Sequence, residues 1–264
     1  MTTNSLRFNR ALVRRPGPSI VDGLRAVDRG DPSYEEVLDE HRTYVAALEA
    51  AGVDVTVLPA LDDFPDAIFV EDPALVFEQG AVLLRPGAAS RRDEAEHLRE
   101  ALEHAFDRVL EPMAAGSAEG GDILTTPEKV LIGLSSRTDA QGAAEVQSAL
   151  RELGMASEVA ETPDGVLHFK SDCSILDETT ILATARLAAS GVFSGFDVIE
   201  VPEGEEPAAN ALRVNDVVLV SGQFPRTVDL LTDRGFEVVA IPTPAIQRVD
   251  AGLSCMSLRW RQRP

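Results

Sequence analysis

The chain has 264 residues, 44% of them apolar, with a formal charge of -20 at pH 7. That composition fits a globular protein with a sizeable core, and the acidity, with no basic patch, excludes phosphate-backbone binding while suiting cationic small molecules. Two cysteines, Cys173 and Cys255, are too few for a disulfide framework, and no segment approaches the ~18 apolar residues of a leader or membrane span, so a reduced cytoplasm is the expected compartment, with no membrane partner.

Leu6 to Arg14 reads as an apolar strand. Ser33 with Glu36 makes a capping box for a helix over Tyr34 to Ala51 that stops at Gly52, and Val53 to Leu58 is the next strand. Ala67 to Arg85 forms a hairpin turning at Glu78-Gln79-Gly80. Ser90 then caps a helix with Asp93 in its first turn and an apolar face of Leu98, Leu102, Ala105 and Phe106, and Arg108 to Leu110 follows as a strand. Asp122 to Leu134 is a second hairpin; a helix after Thr138, boxed by Gln141, stops at Gly154, and Ser157 to Ala160 is its strand. Val166 to Ala185 is a third hairpin, with a short helix over Arg186 to Ser190 and a strand over Asp197 to Val201. Ala211 to Ser221 is a fourth, turning at Asn215-Asp216, followed by a helix from Thr227 to Arg234 and a strand from Phe236 to Ile241. Ser254 to Trp260 can pair with Leu6 to Arg14 as a fifth hairpin, split between the chain ends. Units of roughly 50 residues that need neighbours to bury their faces predict a closed radial array of ββαβ units, clasped by the first and last strands. No linker interrupts it, so residues 1–264 read as one domain. An ordinary α/β sheet is the alternative, and the hairpin ahead of each helix argues against it.

His41, His97 and His104 fall on charged helix faces as solvated surface residues. His168 differs, standing between Leu167 and Phe169 where a hairpin begins, and Cys255 follows an Ala251-Gly252 turn. Cys173 reads as core packing. A nucleophilic cysteine needs a histidine or cation nearby, so Cys255 and His168 are natural partners if a ring brings them together. Carboxylates in apolar surroundings are costly unless paired or functional, and Glu71, Asp72, Glu119 and Asp122 stand in such places, with Asp66 just ahead. Each group lies near the first strand of a different hairpin, so a ring would gather a thiol, an imidazole and several carboxylates at its centre. Such a pocket suits a planar cation such as guanidinium, held by carboxylates and attacked at carbon by the thiolate. No C-x-x-C, H-E-x-x-H, G-x-G-x-x-G or Walker pattern occurs, so neither metal nor cofactor is expected.

The segments SIVDGL, DDFPDAIFVEDPALV, RPGAASRR, EGGDIL, IGLSSRT, LHFKSDCSIL, LRVNDVVLV and GLSCMSLRW together, in order and over nearly the whole chain, resemble the bacterial dimethylarginine dimethylaminohydrolases. The resemblance implies a five-bladed, pseudo-symmetric α/β propeller and hydrolysis of Nω,Nω-dimethylarginine or Nω-monomethylarginine to citrulline, without a cofactor. It also implies that Cys255 is the nucleophile, His168 the general acid and base, and Glu119 its orienting partner. Asp72 would bind the guanidinium with Glu71 beside it, Asp66 the α-amino group, and Arg91 with Arg137 the α-carboxylate. The backbones of Leu24 and Val249 would complete the clamp, with SIVDGL as a lid and Gly23 aiding its movement. A homodimer stays open. Two alternatives remain: an arginine deiminase of the same fold, and a binding protein with this ring and no chemistry. The deiminases carry H-x-D at the histidine, and here the third position is Lys170. The binding protein would lack Cys255 or His168 and show a basic face.

Overall fold

The computed structural model describes residues 6–112, 114–163 and 165–263. In chain order the elements are β1 (Arg10–Arg14), α1 (Tyr34–Ala50), β2 (Asp54–Leu58), β3 (Ala74–Phe77), β4 (Gly80–Leu83), α2 (Glu96–Ala105), β5 (Val109–Leu110), β6 (Ile123–Thr125), β7 (Val130–Leu134) and α3 (Ala140–Glu152). They continue with β8 (Ser157–Glu161), β9 (Cys173–Ile175), β10 (Thr180–Ala183), α4 (Ala185–Ala188), β11 (Asp197–Glu200), β12 (Leu212–Val214), β13 (Val217–Ser221), α5 (Pro225–Asp233), β14 (Glu237–Ile241) and β15 (Leu258–Trp260).

These strands make five sheets of three, all built alike: β3-β4-β5, β6-β7-β8, β9-β10-β11, β12-β13-β14 and β15-β1-β2. The central strand pairs antiparallel with the strand before it and parallel with the strand after the helix. The chain ends obey the same rule, with Arg10 opposite Trp260 and Leu12 opposite Leu258, and β2 parallel on the other side. Helix crossovers of this kind are what a parallel third strand requires. Glycines with positive φ stop the helices: Gly52 at +86°, Gly154 at +78° and Gly235 at +88°.

Among the described residues five apolar clusters form the core, and each joins two sheets. Tyr44 and Leu48 of α1 pack with Val13 of β1 and Leu219 of β13. Val146 and Leu150 of α3 join Ile132 of β7 to Val82 of β4. Phe169 and Ile181 sit with Leu131, Leu182 with Val218 and Leu231, and Leu258 and Trp260 with Ala81 and Leu98. Followed from sheet to sheet, these joins return to their starting point. No helix among the described residues is long and apolar enough to cross a membrane.

Local departures from the sequence reading have identifiable causes. Ser90 does not cap α2; it lies in a 3-10 turn, Ala89–Arg91, because Arg91 is drawn inward and the helix starts only at Glu96. Asp139, rather than Thr138 with Gln141, caps α3 by accepting from Gly142 N at 2.7 Å. The Thr138 hydroxyl is bonded to the buried Asp122 carboxylate instead, at 2.6 Å. His41 is 3% exposed, not a surface residue, and burial together with the nearby Arg15 pushes its imidazole down to about 4. His97 and His104 are exposed as expected. The first hairpin strand begins at Ala74, so Glu71 and Asp72 occupy the turn ahead of it rather than a strand.

One glycine explains how α3 meets the segment leading to Glu119. A Cβ at Gly142 would stand 2.0 Å from the Ser117 carbonyl oxygen. Alanine is the better helix former by about 1 kcal/mol, yet Gly142→Ala is expected to destabilise the fold by roughly 1–3 kcal/mol through overpacking against rigid backbone. Thermal melting of the two proteins decides it, and a raised midpoint would show that the helix can shift freely.

Candidate active site

In four of the five units the segment just ahead of the first strand carries a residue to one shared cavity. Asp72 precedes β3, Glu119 precedes β6, His168 precedes β9 and Cys255 precedes β15, and these four line one cavity of about 140 Å³. Asp66, Arg91, Arg137, Leu24 and Val249 line it too. The structure therefore brings together nine of the ten residues singled out for catalysis or substrate binding.

The tenth is Glu71. Its carboxylate accepts from Lys170 Nζ at 2.6 Å, Arg259 Nη2 at 3.1 Å and the Ser254 hydroxyl at 2.8 Å. It faces a second cavity on the other side of this cluster, not the one holding Asp72. Contrary to expectation, its side chain does not stand beside Asp72 at the pocket. Three donors that need an acceptor explain the turn, because buried cations are stable only when paired. Lys170 goes with it, away from the pocket. Asp122 also lies outside the cavity lining; it accepts from Phe169 N at 2.8 Å and from the Ser135 hydroxyl at 2.7 Å, pinning the chain just after His168.

Two glycines let backbone approach the carboxylates. Gly120 N donates to the Asp72 carbonyl at 3.0 Å and Gly121 N to Asp72 Oδ1 at 3.1 Å. A Cβ at Gly121 would meet the His168 ring at 2.8 Å, and one at Gly120 would meet the Glu71 carbonyl at 2.0 Å. The glycine pair between Glu119 and Asp122 is thus a packing requirement of the site. Gly23 is of the same kind: a Cβ there would stand 3.0 Å from the Ile20 carbonyl and 3.1 Å from Val249 Cγ1. It serves close contact with the segments on either side of it.

The charges are paired unevenly. Glu119 is fully buried; one oxygen accepts from Gly87 N at 2.9 Å and the other meets His168 Nε2 at 2.6 Å. Burial alone would lower the His168 imidazole, but Asp72 and the Glu119 bond overcome it and lift it to about 9. Burial raises the Asp72 carboxyl, but Arg91 and His168 outweigh it and hold the group below the usual range. Burial pushes the Asp66 carboxyl up; one of its oxygens accepts from Leu24 N at 3.0 Å. Burial, with Asp72 and Glu71 adding repulsion, pushes the Cys255 thiol up to about 12.

Arg91 is only 4% exposed. Its Nε and Nη2 protons are engaged by Glu94 and by the Asp66 and Phe69 carbonyls, and one Nη1 proton by Asp72. Of five guanidinium donors, one Nη1 proton has no acceptor among the described residues and can serve a ligand. Glu94, missed in the sequence, is pushed up to about 7 by burial against the pull of Arg91. Arg137 is more open, with 21% of its side chain exposed and Glu119 as its ion-pair partner at 3.6 Å. Above the pocket Leu24 is 39% exposed, and the Ala26 N–H donates to Asp250, tying the 18–31 segment to the loop that carries Val249.

Asp72, Glu119 and His168 present donor atoms within 4.8 Å of one another, close enough for a metal ion. Arg91 already neutralises Asp72 and the Glu119 bond occupies His168 Nε2, so the cluster's charge is balanced from within.

A family profile described as N,N dimethylarginine dimethylhydrolase, eukaryotic, matches residues 27–181. The N(G),N(G)-dimethylarginine dimethylaminohydrolase of Pseudomonas aeruginosa is 37% identical over 254 residues, covering 96% of this chain and 100% of the relative. That of Streptomyces coelicolor is 33% identical, covering 96% and 97%. Among solved structures, the Pseudomonas aeruginosa enzyme as a cysteine-to-serine mutant complexed with citrulline matches with a TM-score of 0.93 at 36% identity, over 96% and 99% of the chains. The N-terminal domain of ArgZ, a cyanobacterial arginine dihydrolase, matches with a TM-score of 0.82 over 96% and 99% at 18% identity, a likeness of fold alone.

The raised imidazole has a measurable consequence. Because its folded value lies above the ordinary 6.5, the protonated His168 held by Asp72 and Glu119 stabilises the fold fully below pH 6.5 and loses that contribution as pH climbs through about 9. NMR titration of the ring should find a midpoint near 9, and Glu119→Gln should lower it by at least about one unit. A midpoint near 6.5 in the unaltered protein would show that the carboxylates do not hold the charge.

Proposed function

The chain belongs to the dimethylarginine dimethylaminohydrolase family, and on that premise we propose that it hydrolyses Nω,Nω-dimethylarginine and Nω-monomethylarginine to citrulline, releasing dimethylamine and methylamine. The observation that carries the reading is the convergence of Cys255, the His168–Glu119 pair and Asp72 on one cavity, each from a different sheet. The five sheets are the blades of a single-domain α/β propeller with Cys255, His168 and Asp72 at its centre; the closed cycle of apolar joins supports that description.

The substrate brings a further cation to the side of Asp72 that faces the sulfur. Its guanidinium binds Asp72, which offsets the negative charge facing Cys255, so the thiol gives up its proton to solvent more readily. The thiolate then donates its pair to the guanidinium carbon. A C–S bond forms and the C=N pair moves onto nitrogen. Glu119 holds His168 through Nε2, leaving Nδ1 to protonate the dimethylamino nitrogen. The C–N bond breaks, dimethylamine departs with its electron pair, and a thiouronium remains on Cys255. Neutral His168 next takes a proton from water, and the hydroxide adds to the same carbon. Collapse expels the thiolate, releases the hydroxyl proton to solvent and leaves citrulline. No metal or cofactor enters the scheme.

At the other end, Asp66 receives the α-amino group. Arg137 and the spare Nη1 proton of Arg91 take the α-carboxylate. The Leu24 and Val249 backbones close over it, with the 18–31 segment as lid. Lys170 stands where deiminases place a second acid, and it is held by Glu71 outside the pocket. No carboxylate there would lose its hydrogen bonds against methyl groups, and none rewards the extra donors of free arginine.

Citrulline release from dimethylarginine, monomethylarginine and arginine, side by side, tests this. The methylated substrates should exceed arginine in kcat/KM by at least about 10²-fold; an arginine value equal or higher would make the protein a deiminase. Cys255→Ser should keep the fold and lose nearly all turnover, and enzyme quenched during turnover should carry added mass on Cys255. An adduct on Cys173 instead would overturn the assignment.

Arg137→Ala should lower kcat/KM by roughly 10²-fold, the loss of a charge-assisted bond of about 1.5–3 kcal/mol. An unchanged value would place the carboxylate elsewhere.

A further inference from the structure

We propose that Asn210 is a further catalytic residue, whose side-chain amide donates a hydrogen bond to the sulfur of Cys255 and stabilises it as a thiolate. The proposal rests on Cys255 being the nucleophile.

The fivefold build of the molecule points to it first. Four units send Asp72, Glu119, His168 and Cys255 to the pocket from the segment ahead of their first strand. In the remaining unit that segment ends at Asn210, two residues before β12. Asn210 is buried, and its Nδ2 lies 3.8 Å from Cys255 Sγ. The orientation of the amide is fixed by a second bond: Oδ1 accepts from Ser254 N at 2.9 Å. With the oxygen so engaged, the NH₂ group must face the sulfur. The pair is packed without slack, since a Cβ at Gly252 would fall 2.1 Å from Asn210 Cγ.

The need for such a donor is electrostatic. Cys255 is faced by the Asp72 carboxylate and feels that of Glu71 from behind, with Lys170 as an opposing cation and the Gly252 N–H as a backbone donor. A thiolate formed there is repelled by two acids. A neutral amide aimed at the sulfur favours the anion without adding a cation that would repel the guanidinium substrate. The same bond assists when the thiolate is expelled from carbon in the hydrolytic step, because charge returns to sulfur. A donor that favours the thiolate also makes it a somewhat weaker nucleophile, with about half of the gain lost.

Two variants test it. Asn210→Ala removes the donor. Asn210→Asp keeps the size and the acceptor for Ser254 N but replaces the donor with an acceptor. Circular dichroism and melting first establish that each is folded; if alanine is not, the isosteric aspartate carries the test. Alkylation of Cys255 by iodoacetamide at fixed pH, followed by mass spectrometry, should slow about 3- to 10-fold in Asn210→Ala and further in Asn210→Asp. The acid limb of the kcat profile for citrulline release should move to higher pH by about one unit or more, with KM little changed. A folded variant with wild-type alkylation rate and an unmoved acid limb overturns the proposal. Alkylation needs no dimethylarginine: slower alkylation in the variants of a protein that releases no citrulline would sustain the Asn210 contact and sink the substrate assignment.

Discussion

Strand β1 meets β15 across the chain ends, and the pocket exists only because it does. Cys255 stands just ahead of β15, while Asp72 stands just ahead of β3. Glu71 N donates to the Cys255 carbonyl at 3.1 Å, stitching the two turns together. Trp260 and Leu258 meanwhile pack with Ala74 and Ala81. No sheet carries two of the four groups Asp72, Glu119, His168 and Cys255. The site is therefore a property of closure: each sheet contributes one turn, and the apolar joins between sheets set the distances between the turns.

Closure also sets the electrostatics. It draws Asp66, Asp72, Glu94 and Glu119 into places with little solvent and gives them Arg91 and His168 as internal cations, with Arg137 at the mouth. Arg91 is shared among several acceptors, so it fixes the positions of Asp72 and Glu94 more than it offers a free charge. What remains uncompensated lies around the sulfur. On the proposed reading, a guanidinium arriving there relieves a repulsion already built in, so that binding and activation of the nucleophile are one event. The global charge of -20 attracts cations of any shape; this local imbalance distinguishes the planar one that reaches Asp72.

Much of this was legible in the sequence, because its signals are local. Hairpin turns, helix stops at Gly52, Gly154 and Gly235, and the capping box at Ser33 depend on neighbouring residues alone, and the repeated unit emerged from them. So did the anomaly of acids in apolar surroundings, which pointed to Asp72 and Glu119. The failures involve partners distant in the chain. Glu71 looked equivalent to Asp72, but its side chain is claimed by Lys170 and Arg259. Ser90 looked like a cap, but the pull on Arg91 delays the helix. His41 sits among charged neighbours in sequence, yet α1 packs that face inward. Asn210 carries no local mark at all: an asparagine after two alanines becomes notable only when Cys255 is placed beside it.

The order in which the turns occur along the chain bears on the life of the protein before it is finished. Ribosomes deliver Asp72, Glu119, His168 and Asn210 first, and Cys255 only with the strand that seals the molecule. Domains generally begin folding from the amino-terminal side during synthesis, so the early sheets can settle while the only thiol among them is Cys173, buried in the core. A nascent chain is thus inert toward electrophiles at its acidic centre, and reactivity arrives together with the clasp.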